Sequence, residues 1–168
     1  MRKVLCCVAV LCMFALTRSA HSQAQRKPGL YDVTTTMTWQ KSPLPPNMPS
    51  TPPNSPFSGA PRHSQVCVTQ AAIDKWGGPA PQTRGGDCQP SGINKTAARL
   101  TATISCTGQM SGTGTVEVSW TGDGSGTSKI HFTGTMTAGP RSVPIEWTMN
   151  SSSTYKGADC GDVKPIGN

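Results

Sequence analysis

Between Ala97 and Tyr155 the chain alternates apolar and polar residues with a period of two. Leu100, Ala102, Ile104 and Cys106 share one phase; Thr101, Thr103, Ser105 and Thr107 share the other. Val116, Val118 and Trp120 oppose Thr115, Glu117 and Ser119. Ile130, Phe132, Gly134 and Met136 oppose Lys129, His131, Thr133, Thr135 and Thr137. Val143, Ile145, Trp147 and Met149 oppose Glu146, Thr148 and Asn150. Successive side chains of an extended strand point to opposite faces, so the pattern predicts four half-buried antiparallel strands. A helix would scatter the same apolar residues around its axis. The many threonines fit, because β-branched side chains suit a pleated surface. The connections Gly108 to Gly112, Gly122-Asp123-Gly124 and Gly139-Pro140 are turn material. None is long enough for a crossover helix, so the strands should form a meander. Pro144, early in the last strand, calls for an edge or a strand start.

Upstream, Leu30 to Gln40 repeats the alternation, with Tyr31, Val33, Thr35, Met37 and Trp39 on one side. Residues 42–63 carry eight prolines in 22 positions and are predicted to be an irregular surface loop with Met48 and Phe57 as anchors. Ser64 to Val68 reads as a short strand. Thr69 reads as the N-cap of a short helix, Gln70 to Trp76, stopped by Gly77-Gly78. Pro79 to Asp87 is loop, and Cys88 to Ile93 opens a hairpin. The fold class is therefore all-β: a curved antiparallel meander sheet or incomplete barrel of six or seven strands, with one short helix. A β-sandwich is the alternative.

The first residues stand apart from this pattern. Arg2 and Lys3 precede an apolar run from Val4 to Leu16, and a small, polar stretch follows to Gln25. This reads as a secretory signal peptide over residues 1–24, cleaved after Ala24. A run of about 13 apolar residues is short for a membrane span of about 20. Residues 25–168 then form one domain, with a frayed tail at 161–168. Of fifteen Lys and Arg, three lie in the leader, leaving twelve against eight Asp and Glu, a net of +4. The cations are scattered, with no basic run, so no nucleic-acid partner is expected. Three of seven cysteines also leave with the leader. Cys67, Cys88, Cys106 and Cys160 remain, an even number in an exported chain, which implies two disulfides. Three pairings are possible. A hairpin turning about Ala97 sets Cys88 opposite Cys106, which leaves Cys67 for Cys160.

Candidate chemistry is sparse. His63 and His131 lie far apart, and a zinc site needs three or four ligands. The methionines Met37, Met136 and Met149 fall on the apolar phase of strands, where they fill cores. No G-x-S-x-G elbow occurs, and Gly124-Ser125-Gly126 is a turn. Glu117 and Glu146 read as strand residues on a solvated face. The glycines of 108–114 and 122–126 are read as hairpin turns. No catalytic, metal or cofactor residues are expected.

The order of these features resembles a known family. Pro28-Gly29-Leu30-Tyr31 leads into Val33-Thr34-Thr35-Thr36-Met37-Thr38 directly after the leader. A proline- and methionine-containing loop follows, then Cys67-Val68-Thr69 before the helix, the pair Cys88 and Cys106, Thr/Gly-rich strands and a terminal Cys160. This arrangement is similar to the bacterial exported family of unknown function DUF3617, over Pro28 to Cys160. The proline insert is longer than the family pattern has. The resemblance implies a periplasmic or otherwise exported β protein and transfers no catalytic residues. The functional expectation is a non-catalytic protein that binds a small hydrophobic or amphipathic molecule or an envelope partner protein, with Trp39, Met48, Phe57, Trp76 and Trp147 as candidate contacts. It predicts a continuous apolar cavity of a few hundred Å³, on the order expected for small-molecule sites. The alternatives are an envelope interaction protein with an exposed aromatic patch and no cavity, and a hydrolase with Ser or Asp near a histidine in a cleft.

Overall fold

The computed structural model describes residues 26–44, 55, 57–78 and 86–166. Seven long strands alternate their apolar positions onto one face: β1 (Gly29–Lys41), β2 (Arg62–Val68), β3 (Gly86–Lys95), β4 (Arg99–Gly108), β5 (Met110–Trp120), β6 (Gly126–Ala138) and β7 (Arg141–Gly157). One helix, α1 (Gln70–Trp76), separates β2 from β3, and a two-residue strand, β8 (Pro165–Ile166), ends the order. All belong to one open sheet, in the order β3-β4-β5-β6-β7-β1-β2-β8. The meander β3 to β7 is as the alternation predicts. The N-terminal strand completes it by pairing with β7 across eleven residue pairs.

The prolines sit where a missing N–H is tolerated. Pro90 lies on the edge strand β3. Pro144 pairs with Thr135 of β6 beyond the last β1 partner, Glu146, so that stretch of β7 has a neighbour on one side only. The tail after Cys160, expected to fray, instead lays Pro165–Ile166 parallel to Cys67–Val68. The Cys67–Cys160 disulfide delivers it to the open edge of β2.

Both predicted bridges form: Cys67–Cys160, 93 residues apart, and Cys88–Cys106, 18 apart. Cys88 and Cys106 are direct partners in the β3–β4 register.

One connection differs from the sequence reading. The turn expected over Gly108 to Gly112 reduces to Gln109, and Gly112 and Gly114 lie inside β5. They are there because the Phe132 ring needs the space. A Cβ on Gly112 would fall 2.3 Å from the Thr133 carbonyl oxygen and 3.0 Å from Phe132 Cζ. On Gly114 it would meet Phe132 Cδ2 at 3.2 Å; on Gly134 it would meet Phe132 Cε1 at 2.9 Å. The fully buried ring lies in this slot and stacks on Trp147, with centroids 5.3 Å apart.

The apolar face divides into two clusters. The larger holds Ile104, Cys106, Met110, Val116, Phe132, Ile145 and Trp147. The smaller joins Tyr31 and Val68 to Ala72 and Ile73 of α1. Met37, Met136 and Met149 pack against the larger cluster, as their phase predicts.

Candidate functional site

Between the two clusters the packing is incomplete. A cavity of about 230 Å³ lies on the inner face of the sheet. Its wall is aliphatic: Val33 of β1, Val66 of β2, Leu100, Ala102 and Ile104 of β4, Val116 and Val118 of β5, Ile130 of β6 and Met149 of β7. Pro90 and Ile93 of the edge strand β3 line it as well. Because β2 and β3 are far apart in the sheet order yet face one cavity, the sheet must curl through most of a barrel.

The seam between these edges is bridged by α1. Thr69 caps its first turn, accepting from the Ala72 N–H at 3.1 Å. Gly77 ends it in a left-handed conformation, φ 69°. That position has no room for a side chain: a Cβ would lie 2.9 Å from Leu100 Cδ1. Lys95, at the end of β3, donates to the Ile73 carbonyl at 2.9 Å. A cation at a helix C-terminus also meets the negative end of the helix dipole. The helix thus belongs to the β2 side by sequence and is tied to the β3 side by this contact. Its terminal residues Trp76, Gly77 and Gly78 line the cavity. Ile93, the exposed large hydrophobic residue among the described residues, marks its mouth.

Arg26 also lines the cavity, immediately before the first strand. Its residue surface is only 8% exposed. The guanidinium lies over the Tyr31 ring, 5.0 Å from its centre, against the bare Cα of Gly78. Burial pushes the guanidinium below its ordinary value, while the interaction with Tyr31 opposes that change. Burial likewise raises the Tyr31 phenol, and the Arg26 charge partly offsets it. The phenol donates to the Lys27 carbonyl.

Of the four described residues among the five expected to contact a ligand or partner, Trp76 alone lines this cavity. Trp147 is buried in the larger cluster. Trp39 packs on the same cluster and against Phe57, whose ring centre is 5.3 Å away. The end of the proline-rich segment is therefore pinned to β1, with Ser55 accepting from the Phe57 N–H. Met48 and residues 1–25, which include the expected signal peptide, lie outside the described residues. Period-two patterning assigns a residue to the inner face but does not separate a residue that fills the core from one that borders a space. Arg26 precedes the alternating segment, so the period-two pattern carries no signal for it.

The outer face is polar and locally paired. His63 Nδ1 lies 3.0 Å from Thr34 Oγ1, and His131 lies 3.2 Å from Thr148 Oγ1 and 3.7 Å from Glu146. Glu146 also meets Lys41 at 3.1 Å, and Glu117 meets Arg99 at 2.9 Å. The two glutamates do not face each other: Glu117 is registered with Lys129 and Glu146 with Thr133. Neither histidine lines the cavity. Among the described residues no group of three His, Cys, Asp or Glu could hold a metal ion. No helix there is long and apolar enough to cross a membrane.

A family model described as "Protein of unknown function (DUF3617)" matches residues 26–160. The chain belongs to this family. The match begins at Arg26 and ends at Cys160, so the cavity-lining arginine, both disulfides and every wall strand fall within the DUF3617 span. No curated protein and no solved structure matches the chain. The two disulfides are of the kind that persists in oxidising, exported environments.

Proposed function

We propose that this DUF3617 protein is an exported, non-catalytic binding protein of the periplasm that holds one small apolar or amphipathic molecule inside its curled sheet. The observation that carries the reading is the aliphatic cavity of about 230 Å³ between two otherwise well-filled core clusters. Well-packed interiors leave few voids larger than a water molecule. An apolar cavity of about 150 Å³ already stays dry and admits a benzene-sized guest. The arrangement of the leader, the disulfides and the polar outer face supports an exported carrier. Ion pairs and hydroxyl contacts account for the histidines and glutamates without a reaction.

Titration with 1-octanol, followed by 1H–15N NMR on exported, delipidated protein, tests this. The indole N–H resonance of Trp76 and the amides of Ala102, Val118 and Ile130 are expected to shift saturably. The Trp147 indole is expected to stay within a fraction of those shifts. Native mass spectrometry on protein purified without delipidation is expected to show an added mass of one to several hundred daltons. No saturable shift at the cavity-lining residues, together with a bare native mass, would sink the proposal.

A further inference from the structure

The cavity is not uniformly apolar. Following the strand register, Val33 pairs with Ser153, and Ser128 pairs with Ser151. One step further along the strands, Ile130 pairs with both Met149 and Val116, and Ala102 with Val116. Ser128, Ser151 and Ser153 thus border the cavity toward the Tyr31 end, alongside Val33, Leu100 and Val118, and its far end, at Ala102, Val116, Ile130 and Met149, is aliphatic throughout. Arg26 lies at the hydroxyl end, over Tyr31.

The guanidinium there has no carboxylate partner among the described residues. Its Nε is buried with no hydrogen-bond partner among the described residues. None of the ion pairs among those residues involves Arg26, and no Asp or Glu lines the cavity. Arginine keeps its proton in proteins, so it cannot escape burial by neutralising. A buried, unpaired charge is costly unless it is paired and hydrogen-bonded. The Tyr31 side chain answers the charge in part, through its ring face and a side-chain hydrogen bond, but it carries no negative charge and leaves Nε without an acceptor. The chemistry that supplies both is a carboxylate, which takes two parallel N–H donors from the guanidinium fork.

We infer that the ligand of this cavity is an amphipathic monocarboxylate, its carboxylate paired with Arg26 and its single hydrocarbon chain lying along Ala102, Val116, Ile130 and Met149. This rests on the binding function proposed above and adds charge sign, head-group position and chain number. If six carbons occupy about 150 Å³, a cavity of about 230 Å³ takes roughly eight or nine, so octanoate is the natural probe.

The test is isothermal titration calorimetry at neutral pH on the exported, delipidated protein, with octanoate, 1-octanol and octylammonium as titrants. Octanoate is expected to bind at least tenfold more tightly than 1-octanol, and octylammonium more weakly than either. Arg26→Met is expected to weaken octanoate at least tenfold and to leave 1-octanol within about threefold. Arg26→Lys keeps the charge without the fork and should fall between. Ala102→Leu, which grows a side chain into the cavity, should weaken octanoate and 1-octanol alike.

Binding of 1-octanol as tightly as octanoate would overturn the carboxylate inference and leave the cavity reading intact. Octanoate affinity unchanged in Arg26→Met would also overturn it, and octanoate affinity retained in Ala102→Leu would place the anion outside the cavity, against both readings. Binding of none of the three titrants defeats both readings. Should Arg26→Met not fold, the comparison of three ligands on the native chain still decides the sign of the charge.

Discussion

The slot under Phe132 makes a quantitative prediction. Gly112 and Gly134 face each other across β5 and β6. Gly112 adopts φ 151°, a conformation L residues rarely occupy. An alanine there costs about 1–3 kcal/mol for that backbone conformation. Its Cβ would also lie 2.3 Å from the Thr133 carbonyl oxygen and 2.5 Å from the Gly134 Cα, both backbone atoms that cannot swing aside. Forced overpacking of this kind costs about 1–3 kcal/mol. Gly112→Ala is therefore expected to destabilise the fold by about 3 kcal/mol. Gly157→Ala is the control: a Cβ there meets nothing within 4 Å, and the change should stay within about 0.5 kcal/mol. Gly134→Ala, with its Cβ 2.1 Å from the Ser111 carbonyl oxygen, should cost about as much as Gly112→Ala. Because the two positions touch, the double variant should depart from additivity. Urea unfolding followed by tryptophan fluorescence measures all four, since Trp147 stacks on the displaced ring. If Gly112→Ala and Gly134→Ala both fall within 0.5 kcal/mol of the parent, Phe132 does not depend on bare backbone beneath it, and the account of these glycines is wrong.

Removing the Cys67–Cys160 bridge as a double Cys→Ala variant should cost more than removing Cys88–Cys106. Loop-entropy values of about 4.7 against 3.2 kcal/mol follow from separations of 93 and 18, and the urea midpoints of the two variants decide the order. The Tyr31 phenol is raised by burial, so the unfolded chain releases this proton first. Its contribution to stability is fully present below about pH 10 and is lost as pH rises through the folded value; alkaline urea titrations of the native chain and Tyr31→Phe should diverge in that range. Lys95→Met removes the donor to the Ile73 carbonyl and should cost about 1 kcal/mol while accelerating hydrogen exchange in α1.

The fold was legible because the barrier between face and face is a single residue step. Slipping Ile130, Phe132 or Trp147 by one position would expose it, so alternation alone commits β4 to β7. The helix was equally clear, since Thr69 and Gly77 carry the cap chemistry at both ends. Gly112 and Gly114 were misread because glycine signals a turn by conformational freedom and a slot by missing volume, and the letter is the same for both. The pairing of Pro165–Ile166 was not legible because β8 has no pattern of its own; its place comes from Cys160. The cavity itself was hardest. Its walls, Val118 and Ile130, look in the sequence like the packed Ile145, because a void belongs to the spacing between side chains and not to any one of them. Trp147, expected as a contact residue, lies in the larger buried cluster.

The pairing of β1 with β7 has a consequence for the order of assembly. Lys41 is registered with Glu146 and Leu30 with Gly157, so this junction joins segments more than a hundred residues apart. Long-range pairings of this kind are slow to form, because a large loop must close first. The β3 to β7 meander is built from neighbours and can nucleate alone, but it lacks the Val33 wall, the α1 bridge and Arg26. A chain emerging N-terminus first can pair Gly29 to Thr35 with β2 early, but must hold the opposite, β7-facing edge of Leu30 to Lys41 open until almost all of it is available. The binding space is therefore the last part of the molecule to come into being.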